Sequence, residues 1–256
     1  MRKRSAIFLT LVAAARLASA GEWRIVSSTD EPSAHAAVQH RRVVLEDSAG
    51  EQAAFDLAVF AASKVRLRVI DNASGDENLA DKAARENCVA GVNGGYFDPE
   101  FRPIGLRIID GAVSSPLVRA RLLSGVFAAS ARGVEIVRVS EFSKRRKYDA
   151  AIECGPFLVE NGKPVGALND TRSARRTFVA VAGGGFACLG VSSALTLAQL
   201  ADTLAALPLR NESKIFRALN LDGGSSTAFW IAGKSGDAFS VQERKSVRDF
   251  VAVAPR

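Results

Sequence analysis

The chain has 256 residues, 48% of them apolar, and a formal net charge of +7 at neutral pH. That length suits one large domain or two small ones, with a sizeable core. Four of the cations (Arg2, Lys3, Arg4 and Arg16) lie in the first twenty residues with no acid among them, so the remainder carries only +3, too little for a nucleic-acid footprint, and no apolar run approaches the roughly 20 residues of a membrane span, so no stable membrane insertion is expected.

Residues 1–20 read as a secretory signal. MRKR supplies a positive start, SAIFLTLVAAARLA an apolar middle, and ASA before Gly21 a small-residue cleavage site. Arg16 interrupts the apolar middle, and a buried first helix is the other reading of the same run. The signal implies export to a periplasmic or extracellular location. Residues 21–49 then form an N-terminal segment ahead of one domain over residues 50–256. An oxidising compartment permits a disulfide, but Cys88, Cys154 and Cys188 are odd in number and form no C-x-x-C motif. With only His35 and His40 present, and no G-x-S-x-G elbow, a multi-histidine metal site and a Ser-His-Asp triad are both disfavoured.

Strand patterns dominate from residue 52 onward. QAAFDLAVF and KVRLRVI alternate apolar with polar side chains, as half-buried strands do. DENLADKAARENC predicts a helix, with Leu79, Ala80, Ala83, Ala84 and Cys88 along one face. An apolar strand follows it and runs into Asn93, Gly94 and Gly95, then Tyr96 and Phe97. Asp110-Gly111, Arg132-Gly133, Asn161-Gly162 and the run Gly183 to Gly185 each separate two apolar stretches and predict four hairpins. KRRK at 144–147 reads as a solvated loop end rather than a basic patch. TLAQLADTLAALP predicts a second helix, opened by a capping box between Thr196 and Gln199 and stopped by Pro208. A strand follows again, ending in ALNLDGGSSTAFW.

The order helix, strand, Gly-Gly bend therefore occurs twice. If both strands belong to one sheet, the two bends open at the same edge and build one pocket. The fold class is α+β: a large, mostly antiparallel or mixed sheet with two main packed helices in a single domain. Glycine bends let backbone N–H groups approach a ligand, and successive N–H groups make an anion-binding concavity. Neither a P-loop nor a Rossmann G-x-G-x-x-G is present. Two tight turns that merely cap strands would carry the same glycines.

AGVNGGYFD, AIECGPFLVENG, RRTFVAV, TLAQLADTL and ALNLDGGSSTAF, in that order, resemble the phosphodiester glycosidase family, and the closing VRDFVAVAP resembles its final strand. The resemblance implies hydrolysis of a sugar–O–P linkage to free sugar and phosphomonoester, with a phosphorylated sugar or glycan as partner. Such a substrate needs its charge stabilised and a placed water or nucleophile. Asp222 is the candidate base or nucleophile, and Arg176, matching the family's Arg before Thr, the phosphate clamp, with Arg175 and Arg172 in reserve. Glu153 is a candidate second carboxylate, although strand alternation turns either Glu153 or Cys154 to the site. Asn93, Gly94, Gly95, Tyr96, Gly155, Gly223, Gly224, Ser225 and Ser226 are the candidate substrate-binding residues. Tyr96 or Phe97 would stack on a sugar, a buried aromatic being the plainer reading of Phe97. No cofactor is expected. Two readings compete: a non-catalytic binder of envelope glycans or anionic polymers, and a phosphoesterase holding a divalent cation on Asp222, Asp98 and Glu153.

Overall fold

Alternating apolar side chains and short turn signals give this chain strands wherever they occur. The computed structural model describes residues 22–210 and 212–256, so the signal-like segment 1–20 lies outside the described residues. In chain order come β1 (Arg24–Pro32), β2 (Val38–Glu46), β3 (Gln52–Ala61), β4 (Val65–Asp71), α1 (Leu79–Arg85) and β5 (Ala90–Asn93). Four hairpin strands follow, β6 (Arg107–Ile109), β7 (Ala112–Ser115), β8 (Gly125–Ser130) and β9 (Gly133–Arg138). Next are β10 (Ala150–Cys154), β11 (Phe157–Glu160), β12 (Lys163–Pro164), β13 (Ala174–Ala182), β14 (Phe186–Leu195) and α2 (Leu197–Ala206). The last are β15 (Pro208–Arg210), β16 (Ser213–Asn220), β17 (Phe229–Ala232), β18 (Ala238–Val241) and β19 (Asp249–Pro255).

These strands make three antiparallel sheets. The largest runs β1-β2-β3-β14-β13-β16-β11-β12, with β15 attached to β16. The other two run β7-β6-β10-β8-β9 and β18-β17-β5-β19-β4. β1 and β2 come from residues 21–49, and β2 pairs along β3 from Val38 opposite Phe60 to Glu46 opposite Gln52. All three sheets contribute to one core, in which Phe60, Val92, Phe127, Phe157, Leu219 and Val251 meet. All four predicted hairpins form. Asp110-Gly111 has φ of 47° and 83°, and Asn161-Gly162 has 52° and 74°, the positive pair that a tight two-residue turn requires.

α2 covers the outer face of the large sheet, packing Leu200, Leu204 and Leu207 against Phe55, Leu158 and Phe178. Each such leucine contributes about 1.5–3 kcal/mol by burial. Its capping box is present: the Thr196 hydroxyl accepts from Gln199 N (3.1 Å) and Thr196 N donates to Gln199 Oε1 (3.0 Å). α1 covers the β17-β5-β19 sheet with Leu79 and Ala83. It ends at Arg85, short of the predicted Cys88, because Asn87 takes a left-handed φ of 53°, a common helix stop. The three cysteines are buried and free. Burial raises Cys88 to about 11 and Cys154 and Cys188 to about 12.

Candidate active site

The two glycine bends meet, but by a different route from the one the sequence suggests. β5 and β16 belong to different sheets, and their ends abut across the shared core. Asn93, fully buried, joins them: its Nδ2 donates to Asp222 O at 2.7 Å, and Asp222 N donates to Gly94 O at 3.2 Å. Asn93 Oδ1 accepts from Thr177 Oγ1 (2.7 Å) and from Ala228 N (3.0 Å). The amide expected to touch substrate is thus engaged by three protein groups, at Asp222, Thr177 and Ala228. Asn93 is the clamp beneath the site.

The first bend is closed from below. Gly94 N donates to Asp249 O and Gly95 N to Asp249 Oδ1, both at 2.8 Å. Arg107 Nε donates to Asp249 Oδ2 at 2.6 Å, and the two side chains are 1% and 2% exposed. Arg107 also donates to Leu106 O (3.0 Å), Glu153 O (3.2 Å) and Tyr96 O (3.2 Å). A buried pair is tolerable only with its remaining donors satisfied in this way. A Cβ on Gly94 would lie 1.8 Å from Asp249 Oδ1, and one on Gly95 2.2 Å from Arg107 Nη2. These glycines serve close packing on an ion pair, and their amides are not free to cradle an anion. Sequence reasoning missed Arg107 and Asp249. The one signal for them was a charge on the apolar strand LRII and another heading DFVAVA.

The second bend is open. Asp222, Gly223 and Gly224 are half-buried and Ser225 is exposed. Asp222 Oδ2 accepts from the buried Ser226 Oγ at 2.5 Å, and Oδ1 from Gly223 N at 3.0 Å. Burial lifts the Asp222 carboxyl above the ordinary carboxylate range, while Ser226 and the nearby Lys245 cation pull it back. Gly224 has φ 67° and open space where a Cβ would stand.

Tyr96 lies near the same carboxylate, and Arg176 lies near Tyr96 and against the bend. Tyr96 OH donates to Gly155 O at 2.7 Å and accepts from Asn220 Nδ2 at 3.0 Å. Burial, with Cys154 and Asp222 close by, pushes its phenol far up, so it stays neutral. Gly155 supplies that carbonyl and is packed too tightly for any side chain, since a Cβ would lie 2.2 Å from Leu122 O. Arg176 donates from Nε to Leu195 O (2.8 Å) and from Nη2 to Arg172 O (2.5 Å), which fixes its guanidinium. A Cβ on Gly223 would stand 3.8 Å from Arg176 Cδ, so the arginine stem lies against the bend. Arg175 Nη2 reaches Gly224 O at 3.5 Å and steadies the bend from beneath.

Glu153 does not join this group. On β10 it is Cys154 that faces Tyr96 and Asp222. Glu153 points the other way, its Oε2 accepting from Leu106 N (2.8 Å) and Val118 N (3.0 Å). The expected pair of site carboxylates is therefore a single one. Asp98 is separate too, closing its own turn by accepting from Arg102 N (2.9 Å) and Nε (2.8 Å). Asp222, Asp98 and Glu153 do not converge, and no group of three His, Cys, Asp or Glu suited to a metal forms among the described residues. Phe97 packs edge-to-face on Phe101 (4.9 Å), with Lys245 Nζ 5.0 Å from its ring. It is part of the α1 core rather than a platform for a sugar.

Residues 86–254, most of the chain, match the family model described as phosphodiester glycosidase. The chain belongs to the phosphodiester glycosidase family. The uncharacterized protein YigE of Escherichia coli K12 is 32% identical over 91 residues, a match covering 33% of this chain and 36% of that protein's length. The catalytic domain of zebrafish N-acetylglucosamine-1-phosphodiester alpha-N-acetylglucosaminidase shares the fold, with TM-score 0.62 and 16% identity over 94% of this chain and 85% of that one. A hypothetical protein from Synechocystis does so with TM-score 0.59 and 15% identity, over 86% and 62% of the respective chains.

Proposed function

We propose that this protein is an exported hydrolase that cleaves the glycosidic bond of a sugar-1-phosphodiester. Water adds at the anomeric carbon, the C1–O bond breaks, and free sugar and a phosphomonoester leave. The observation that carries this reading is a desolvated carboxylate, Asp222, at the meeting of the two bends, with the Lys245 cation near it and Arg176 lying against the neighbouring Gly223. Arg176 and Lys245 hold the phosphate charge, which strengthens as the bond to carbon breaks. Phosphate departs without a strong acid behind it, so one carboxylate suffices. Asp222 either activates the water or attacks the anomeric carbon itself, through an oxocarbenium-like transition state. The exposed Ser225 and the open backbone at Gly224 face the incoming sugar. The family supports a phosphorylated sugar as substrate, and the linkage named for the zebrafish protein, an N-acetylglucosamine-1-phosphodiester, is the first to try.

Binding without turnover is the competing reading. It is favoured by the two hydrogen bonds through which Asp222 fixes its own turn. The test is sugar release from a methyl N-acetylglucosamine-1-phosphodiester, with anomeric configuration followed by NMR. Retention assigns Asp222 as nucleophile and inversion as base. Saturable binding with no sugar released, from this or any other sugar-1-phosphodiester, would leave only the binder.

A further inference from the structure

A second hollow lies on the side of the fold away from Asp222. Along β6 and the residue before it the side chains alternate: Arg107 turns inward to Asp249, while Leu106 and Ile108 turn outward. α1 and α2 cover the outer faces of the other two sheets. The outer face of the β6-β10-β8 sheet is overlaid by loop residues instead. Beneath them is a cavity of about 710 Å³, within the ~300–1,000 Å³ of small-molecule sites. Its floor is Leu106, Ile108 and Leu117, and one wall is Tyr148 stacked on Phe142 at 4.7 Å. Val113 stands at the lip, 65% exposed.

The mouth is cationic. Lys144, Arg146 and Lys147 line it against one acid, Asp149. Arg146 pairs with Glu135 at 2.9 Å and lies over Tyr148. Lys144 and Lys147 are exposed and form no ion pair among the described residues. A solvated loop end would account for the lysines but not for an apolar hollow beneath them. A packing defect would account for the hollow but not for cations gathered at its mouth.

We propose that this hollow binds a single-chain anionic amphiphile, the alkyl chain on Leu106, Ile108 and Tyr148 and the anionic head between Lys144 and Lys147. Burial of the alkyl chain and of the exposed Val113 supplies the affinity, and the lysines select the head group. The proposal is independent of the reaction at Asp222.

The test is titration calorimetry on the purified protein with dodecyl phosphate below its micellar concentration. One molecule should bind per chain. Inorganic phosphate and dodecyl maltoside, which each lack one half of the recognition, should bind at least tenfold more weakly. The exposed changes Val113→Glu and Lys144→Glu/Lys147→Glu should each weaken dodecyl phosphate at least tenfold while leaving the melting temperature unchanged. Undiminished binding in both variants overturns the proposal, as does inorganic phosphate binding as tightly as the amphiphile. Capture by anionic phospholipid vesicles without binding of monomeric dodecyl phosphate also overturns it, since the occupant would then be a membrane surface.

Discussion

The bends at Asn93-Gly94-Gly95 and Asp222-Gly223-Gly224 read alike in sequence and do opposite things. Both follow a helix and a strand, and both put a short polar residue before two glycines. At the second glycine of the first bend, a Cβ on Gly95 would fall 2.2 Å from Arg107 Nη2; at the second glycine of the other, one on Gly224 would meet nothing within 4 Å. A glycine pair marks a close approach to the backbone, and it does not say whether protein or ligand makes that approach. Here the first bend is approached by a buried ion pair and becomes foundation. The second is left open and carries the acid.

If that contrast is right, changes at the open bend should remove activity without loss of fold, and changes under the closed bend should do the reverse. The largest effect is expected from Asp222→Asn. Loss of a base or nucleophile should slow sugar release by about 10²–10⁴-fold. Stability should hold or rise. Burial raises the folded-state pKa of Asp222, so ionising it costs the folded protein more than the unfolded one, and that penalty grows as pH climbs past the unfolded value toward the folded one. Asn cannot ionise and removes the penalty. A melting curve beside the rate assay checks both halves; a variant that lost stability and kept its rate would make Asp222 a turn-former only.

Next comes the foundation. Arg107→Met leaves Asp249 charged and buried, and should cost about 3–5 kcal/mol in urea unfolding. Adding Asp249→Leu should recover only part of this, because Gly95 N also donates to Asp249 Oδ1. A double variant fully as stable as the parent would show that the glycines do not depend on the pair.

The same contrast explains what the sequence could and could not disclose. Hairpin turns and the α2 capping box depend on residues two to four apart, so Asn161-Gly162 and Thr196-Gln199 were legible. Convergence of the two bends was expected from the repeated order of helix, strand and bend, but on the premise of one shared sheet, and their strands lie in different sheets. The clamp was not: Asn93 finds its partners 84, 129 and 135 positions away. Nor was the orientation of Glu153. Every residue of β10 is buried, so alternation of polarity, the usual guide to which face is inward, carries no information there.

Arg176 tests the open bend with a smaller effect. Arg176→Ala removes one charge-assisted contact to the phosphate, worth about 1.5–3 kcal/mol, so kcat/KM should fall roughly ten- to a hundredfold. Added salt should weaken the parent and leave the variant less affected. The rate should also fall on the acid side as Asp222 protonates, with a midpoint above the roughly 3.9 of an ordinary aspartate because burial raises it. A pH–rate profile with no acidic limb above that value would take Asp222 out of the ionised role.

The smallest effect is the most direct comparison. Gly224→Ala places a methyl in open space at φ 67°, so the cost is the left-handed backbone alone, about 1–2 kcal/mol. Its kinetic effect should be a higher KM with kcat nearly kept, since the methyl intrudes where the sugar enters without touching the carboxylate. Gly95→Ala makes the identical chemical change at the other bend, where the methyl would meet Arg107 Nη2 at 2.2 Å. It must displace an arginine from a buried pair, and should therefore lower the urea midpoint well beyond Gly224→Ala while any surviving folded protein keeps its KM. The two alanines thus separate ligand approach from protein approach. Equal destabilisation by both, with KM unmoved in each, would mean that both bends are foundation and that the substrate enters elsewhere.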